Sequence, residues 1–326
     1  MENLVAIQVP ETMYDLDNEL YHRGEPYRQY TSSTQLKDYL VSPKFAKYKR
    51  EHPLEFEISM EASEKGSLYH DCMASIVNTG DTLDFERSVV VFKPPVNPRT
   101  GNPYGYDTAI YRSALLEFEM DNPGKRLISQ ADLDLVHVMI NEALNNCRET
   151  SHSIRQIIRW GKAEVSHFLE YNGVKFKYRP DIETKRKIVD WKTVSVDDLH
   201  EETINKTILK FKYDISAAFY QFFEHERTGQ WKEFYWIFQQ KKAPYDAVLV
   251  SAEEYAYNYK ENDDMTLLGP GALKFQALLD QHIYAMTSNV YDGAQVFIQP
   301  GFQNKRIMVP TPPGYEKQKV LTYYNE

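Results

Sequence analysis

A change of periodicity at the centre of the chain constrains its fold most. Residues 174–181 alternate apolar and charged side chains, and residues 187–193 form a β-branched and aromatic run that carries Asp190 and Lys192 on one face. A period of two is typical of β-strands, because successive side chains point to opposite faces of a sheet. The polar residues 183–186 between the two runs indicate the turn of a hairpin.

Helical patterns surround this pair of strands. The predicted helices are 32–40 with a Ser32/Gln35 capping box, one from Pro43, and 62–77, 130–147, 154–160, 214–227 and 272–286. Further strands are predicted at 165–171, 233–240 and 245–250, a loop at 92–107, an irregular lead-in at 1–30 and a Pro/Gly-rich tail from Gln299. We therefore predict an α/β fold with an N-terminal helical segment and a central mixed sheet that contains strands 165–171, 174–181 and 187–193 and is flanked by helices.

Three side chains of the central runs form a candidate site. Asp190 and Lys192 are two residues apart on one strand and share a face, and the hairpin can bring Asp181 alongside. Two carboxylates beside an ammonium suit a hard cation such as Mg²⁺. Lys177 and Arg179 share the face of Asp181 and are candidates to guide a phosphate backbone. The alternative is an ordinary exposed ion pair between Asp190 and Lys192, which contributes little.

A histidine on the helix 62–77 offers a further ligand. His70, Met73, Ala74 and Val77 follow the spacing i, i+3, i+4 and i+7, which places the imidazole on the apolar face of the helix. From the residues alone, both a hydrogen-bonded core histidine and a metal ligand remain open.

Composition limits the other classes of function. The net charge of −9 argues against a broad basic surface for nucleic acid but is compatible with a local basic groove. Cys72 and Cys147 are far apart in sequence, so neither a zinc site nor an iron–sulfur cluster is expected. Without an N-terminal signal pattern or an apolar run of ~18 residues, we expect a cytoplasmic protein that does not span a membrane.

The central motif resembles that of a known nuclease superfamily. Arg179-Pro180-Asp181, followed by Ile188-Val189-Asp190-Trp191-Lys192-Thr193, resembles the PD-(D/E)XK signature. This version is most similar to the RecE-type exonucleases (exodeoxyribonuclease VIII), which are related to the RecB and Cas4 nucleases. The resemblance implies a restriction-endonuclease-like core in one domain, 1–326, with a mainly helical part at 31–150, a catalytic sheet core at 160–250 and a C-terminal extension at 251–326.

Segments outside the motif extend the likeness over about residues 31–250. Ser32–Leu36 with Ser42-Pro43 resembles the family's N-terminal helices, and Lys65–His70 resembles its G-x-x-x-H segment, whose histidine binds metal. Glu164 stands where the family often has a glutamate. Residues 213–220 resemble the helix with a Gln-x-x-x-Tyr motif, although Ser216 replaces the glutamine, which weakens a DNA-binding role for Ser216 and Tyr220.

The resemblance implies roles for these residues. His70, Asp181 and Asp190, with the backbone carbonyl of Trp191, would bind Mg²⁺ or Mn²⁺, and Lys192 would orient or activate the attacking water. The expected activity is 5′-to-3′ exonuclease action on linear double-stranded DNA in recombination, by a homo-oligomer working with a single-strand annealing protein. No iron–sulfur cluster is expected, because relatives that carry one use four cysteines.

Other readings of the sequence lead to different functions. His70-Asp71 is the pair found in HD-type phosphohydrolases, but that chemistry needs further His and Asp ligands and no second paired motif occurs. A DNA-end-binding protein without activity, an endonuclease or a single-strand nuclease of the same fold are the remaining alternatives.

Overall fold

The computed structural model describes residues 11–56, 60–145, 153–259 and 265–293. The helices are α1 Asn18–Arg23, α2 Ser33–Lys37, α3 Pro43–Glu51, α4 Met60–Thr79, α5 Leu83–Ser88, α6 Ala109–Asp121, α7 Gln130–Asn145, α8 Ile154–Ile157, α9 Glu201–Phe211, α10 Tyr213–Thr228 and α11 Pro270–Ser288. The strands are β1 Glu11–Met13, β2 Val89–Val91, β3 Arg126–Ile128, β4 Lys162–Ala163, β5 Ser166–Tyr171, β6 Val174–Tyr178, β7 Ile182–Glu183, β8 Lys187–Val194, β9 Glu233–Gln240, β10 Ala247–Ser251, β11 Tyr257–Tyr259 and β12 Met265–Leu268.

A five-stranded mixed sheet in the order β10-β9-β8-β7-β4 forms the centre of the described chain. Strands β8 and β9 are parallel, whereas the other neighbours are antiparallel. Side chains from α10 and α11 pack in the hydrophobic cluster that contains Ile188 and Trp236 of this sheet. Side chains from α4 and α7 pack with Val189 and Trp191 on the opposite face. The predicted α/β architecture, a mixed sheet flanked by helices, is confirmed.

The three predicted central strands do not lie in one sheet. Strands β5 and β6 pair with β1 in a separate antiparallel sheet, and β8 belongs to the larger one. The strand expected to run to Asp181 ends at Tyr178, so that part of the prediction is wrong. Because Pro180 has no N–H to donate to a ladder, the chain leaves one sheet here and enters the other as β7.

The lead-in before Thr31 is ordered where the structure describes it. Strand β1 pairs with β5 from Glu11↔Phe168 to Met13↔Ser166, and the rings of Tyr21, Tyr27 and Tyr30 pack around Phe168. The prediction of an irregular segment is therefore wrong for residues 11–30. A strand of three residues is too short to show a period, so only its pairing partner reveals it.

Most predicted helices are confirmed within a few residues, including the Ser32/Gln35 capping box and the start of α3 at Pro43. Helix α6 was missed in the sequence, although Tyr111, Ala114, Leu115 and Phe118 follow the helical spacing and form its half-buried face against Phe92. Cys147 and the tail from Gln299 lie outside the described residues. No helix of the described chain has both the length and the apolar character to cross a membrane.

Candidate metal centre

The pairing of β7 with β8 brings two aspartates face to face. The register matches Ile182 with Val189 and Glu183 with Ile188, so the next pair outward is Asp181 opposite Asp190. Directly opposite side chains of an antiparallel pair lie on the same face. Their carboxyl groups are within hydrogen-bonding range of each other. The structure thus brings together the two carboxylates that the sequence motif singled out.

Lys192 lies on the same face of β8, two residues after Asp190. Its Nζ is 2.7 Å from Asp190 Oδ1 and 5.3 Å from the ring centroid of Tyr213. Asp190 is only 5% exposed, so this is not the ordinary exposed ion pair of the alternative reading. Burial opposes the charge on Lys192, but the Asp190 and Asp181 carboxylates outweigh it and raise the pKa of the lysine. Lys192 is therefore an ammonium that can donate hydrogen bonds.

Burial and the neighbouring Asp181 act in the opposite direction on the aspartate. Together they outweigh the attraction of Lys192 and raise the pKa of Asp190 to about 6. Two carboxyl groups that share a buried position resist ionising together unless a cation lies between them.

Trp191 connects the two aspartates through its backbone. Its N–H donates a hydrogen bond to Asp181 Oδ2, which fixes that carboxylate against β8. The indole is buried on the other face of the sheet, with its centroid 5.4 Å from the ring of Tyr69. A contribution of the Trp191 carbonyl to metal binding remains a prediction.

Helix α4 delivers His70 to the same point. The helix buries Tyr69 and Cys72, whereas the imidazole lies at the margin of that face with 26% of its side chain exposed. His70 Nδ1 is 3.6 Å from Asp181 Oδ2. The histidine is therefore directed toward the carboxylates and not into the core.

Glu164 completes the cluster from the end of β4. The register of β4 with β7 pairs Ala163 with Ile182, so Glu164 is the next residue outward, and its N–H donates to the carbonyl of Asp181 over 3.2 Å. Glu164 has a φ of 57°, a left-handed conformation that is uncommon outside glycine. Burial, followed by the charge of Asp181, raises the pKa of its carboxyl to about 8.

These donors fit a divalent cation. Ligand atoms of His70, Glu164 and Asp181 lie within 4.8 Å of one another, and the carboxyl group of Asp190 adjoins Asp181. Carboxylate oxygens with one imidazole nitrogen suit Mg²⁺ or Mn²⁺. In the sequence, only the family resemblance indicates Glu164, because a single glutamate before a strand does not by itself predict a metal ligand.

Lys177 and Arg179 both contact the lead-in segment, and Arg179 also lies beside the cluster, with Nη1 3.9 Å from Glu164 Oε2. Lys177 is 2% exposed and donates to the carbonyls of Tyr21 and Tyr27. Arg179 donates to Ser166 Oγ at 2.8 Å and to the carbonyl of Leu16 at 2.9 Å. Both cations hold the lead-in segment on the smaller sheet, so the structure does not support their predicted contact with DNA. That contact assumed an uncovered strand face, which residues 11–30 in fact cover.

Ser216 and Tyr220 lie one turn apart on α10 and face the interior. Ser216 Oγ accepts a hydrogen bond of 3.0 Å from Lys37 Nζ, and the Tyr220 hydroxyl donates to the carbonyl of Arg179 over 3.4 Å. Neither side chain forms an open DNA surface. Lys37 was missed by sequence reasoning, because no local pattern relates it to a serine 179 positions away.

Asp71, the neighbour of His70 in sequence, has a different partner. Its Oδ2 accepts from Arg126 over 2.9 Å. The ligand-forming group that contains His70 includes Glu164 and Asp181 but not Asp71. This arrangement disfavours the HD-type phosphohydrolase reading.

Among comparisons with known proteins, the match to one family model agrees with the strand-borne motif. A search of curated proteins found no significant match. One solved structure, described as "Putative exonuclease" from Eubacterium rectale, is 16% identical with a TM-score of 0.48 over 94% of this chain and 98% of that chain. Residues 103–265, half of the chain, match the family described as a PDDEXK-like domain of unknown function. The chain therefore belongs to this PDDEXK-like family (DUF3799), within the PD-(D/E)XK nuclease superfamily.

Proposed function

We propose that the protein is a metal-dependent deoxyribonuclease. The observation that carries the proposal is the convergence of Asp181, Asp190, Glu164 and His70 with the Lys192 ammonium at one edge of the sheet. Phosphodiester hydrolysis needs a divalent cation and a positive group near the reacting phosphate. The carboxylates and the imidazole can bind the cation, and Lys192 is the positive group.

The protein's own groups have distinct roles in this reaction. His70, Glu164, Asp181 and Asp190 would hold the metal, which when bound polarises a phosphoryl oxygen and lowers the pKa of a water. Trp191 keeps the Asp181 carboxylate in place through its N–H.

Lys192 acts as a hydrogen-bond donor. Because its pKa is raised, it stays protonated, and it orients the attacking water or stabilises charge on the phosphate instead of removing a proton. The water oxygen bonds to phosphorus and the bond from phosphorus to the 3′ oxygen breaks. A proton passes to that oxygen, so the products are a 5′ phosphate and a 3′ hydroxyl.

The finer features of the proposal rest on the family resemblance. These are 5′-to-3′ polarity on linear double-stranded DNA, Mg²⁺ or Mn²⁺ as the ion, a role in recombination with an annealing partner, assembly into a homo-oligomer and a cytoplasmic location. Any of these features can prove wrong while the protein is still a metal-dependent deoxyribonuclease.

Digestion of end-labelled linear DNA and of closed circular DNA, with Mg²⁺ or with EDTA, tests the proposal. We expect linear duplex to be degraded only with the metal, and Asp190→Asn to be inactive because it removes the negative charge of one metal ligand. Cleavage of closed circular DNA would show that the protein is an endonuclease and not an exonuclease. An Asp190→Asn variant as active as the wild type would refute the mechanism, and binding of DNA ends without cleavage by either protein would favour the non-catalytic alternative.

A further inference from the structure

We propose that Lys37 binds a phosphate group of the DNA strand that enters the metal centre. This inference rests on the proposed nuclease function and adds a substrate contact that no sequence motif indicated. It follows from the position of the ammonium, from the charges around it and from the neutral hydroxyl that accepts its hydrogen bond within the described part of the chain.

The position of Lys37 is determined by α2 and α10. The capping box of Ser32 and Gln35 fixes the start of α2, and Lys37 is the last residue of this short helix. Its Nζ donates to Ser216 Oγ over 3.0 Å. The ammonium is close enough to Lys192 and Asp190 for their charges to act on it. Lys37 therefore lies beside the metal centre, on the side formed by α10.

The carboxylates around Lys37 are already paired with other cations. Three of them act on its charge, namely Asp38, Asp190 and Asp214. Each lies within 3 Å of a different ammonium, and the pairs are Asp38 with Lys49 at 2.8 Å, Asp190 with Lys192 at 2.7 Å and Asp214 with Lys274 at 2.9 Å. Among the described residues, none of these three carboxylates therefore has Lys37 as its ion-pair partner.

The Lys37 ammonium is partly withdrawn from water. Burial, followed by repulsion from Lys192, lowers the pKa of Lys37 to about 8, so the group is still mainly protonated at neutral pH. The hydrogen-bond acceptor of this desolvated ammonium, Ser216, is uncharged. Binding of an anion would therefore stabilise the charge of Lys37.

A DNA phosphate is the anion that this location favours. The proposed reaction places one phosphate of the strand at the cluster of Asp181 and Asp190, next to Lys192. A neighbouring phosphate of the same strand can then accept a hydrogen bond from the Lys37 ammonium. Lys37 would contribute to substrate affinity and register, as a binding residue separate from the group that faces the attacking water.

DNA binding measured against salt concentration tests this contact. The probe is a fluorescent linear duplex, with constant Ca²⁺ in place of Mg²⁺ and a denaturing gel to verify that the DNA stays intact. For Lys37→Met we expect affinity to fall at least 10-fold and the slope of log K against log salt to decrease by about 0.9, the loss of one phosphate contact. Lys37→Arg should keep most of the affinity and the slope.

Lys44→Met is the matched control, because Lys44 is an exposed lysine on the neighbouring helix α3. It should reproduce the wild-type affinity and slope. Lys37→Met should also melt at or above the wild-type temperature, since it removes a desolvated charge without shortening the side chain.

Two outcomes overturn the inference, and they are distinguishable. If the wild type binds and cleaves DNA while Lys37→Met keeps the same affinity and slope, the phosphate contact is refuted and the nuclease function stands. If the wild type neither binds nor cleaves linear DNA, the proposed function fails and this contact fails with it.

Discussion

Acidification is expected to destabilise the protein through His282, a buried histidine far from the metal ligands in sequence. The residue lies on α11 and is 1% exposed. Its Nε2 is 2.9 Å from Thr31 Oγ1, and its ring packs against Tyr39 and Phe176 at centroid distances of 5.0 Å and 5.6 Å. No described group forms a hydrogen bond with its Nδ1, so within the described part of the chain a charged imidazole has no hydrogen-bond partner beyond the neutral Thr31 hydroxyl.

The magnitude follows from the change in pKa on folding. Burial, and to a smaller extent the charge of Arg50, lowers the pKa of His282 from 6.5 to about 3. Below pH 6.5 the unfolded chain binds a proton that the folded chain does not, so stability is lost as the pH falls from 6.5 toward 3. At pH 5 this loss is about 2 kcal/mol, from a shift of roughly 1.5 pH units at about 1.36 kcal/mol each.

Urea unfolding at pH 7 and pH 5, in EDTA, measures this effect. In His282→Gln the side-chain amide can still bond to Thr31 but cannot be protonated. The difference in free energy of unfolding between the two pH values should be about 2 kcal/mol smaller in this variant than in the wild type. The pKa of His22 is also lowered by burial. Because His22 is present in both proteins, its contribution to the loss of stability is the same in both and cancels in the comparison.

His200→Gln, a change at an exposed histidine, should lose as much stability on acidification as the wild type. If His282→Gln loses as much stability between pH 7 and pH 5 as the wild type, protonation of His282 is not the cause of the acid sensitivity. Because Thr31 directly precedes the capping box of α2, the same acid-sensitive contact anchors the helix that carries Lys37.

Three further changes give separate tests. Lys177→Met should lower the free energy of unfolding by about 1–3 kcal/mol in urea, because it leaves buried carbonyls unpaired, and should leave the salt dependence of DNA binding unchanged. Phe223→Ala should lower the free energy of unfolding by roughly 3–5 kcal/mol, since its fully buried ring packs on Phe176 and Phe219. Glu164→Gln should reduce the rise in melting temperature that Mg²⁺ causes in the wild type, measured by calorimetry, because it removes one ligand oxygen.

The parts of the site that could be predicted depend on local patterns. Asp190 and Lys192 share a face because of the strand period, and a three-residue turn is enough to return the chain so that Asp181 meets Asp190. Within α4, the helical period places His70 beside the buried face. Such relations involve few residues, so one sequence can specify them.

The parts that could not be predicted depend on contacts between distant segments. The polar face of β6 looked open in the sequence, but Lys177 donates to carbonyls about 150 residues earlier in the chain. The contact of Lys37 with Ser216 spans 179 positions. Neither side chain has a local pattern that names its partner, because the pairing of segments decides which charges are covered and which face the site.

The break at Pro180 explains both the error in the predicted end of β6 and the position of Asp181 beside Asp190. Pro180 ends β6 and starts the chain on β7, so Asp181 is the first residue to enter the larger sheet. The ladders on either side then place Glu164, Asp181 and Asp190 in one row across β4, β7 and β8. A slip of one residue in either ladder would move a carboxylate to the opposite face. The N–H of Trp191 holds the middle carboxylate and the short turn returns the chain in this register, so the geometry of the candidate metal site depends on this strand pairing.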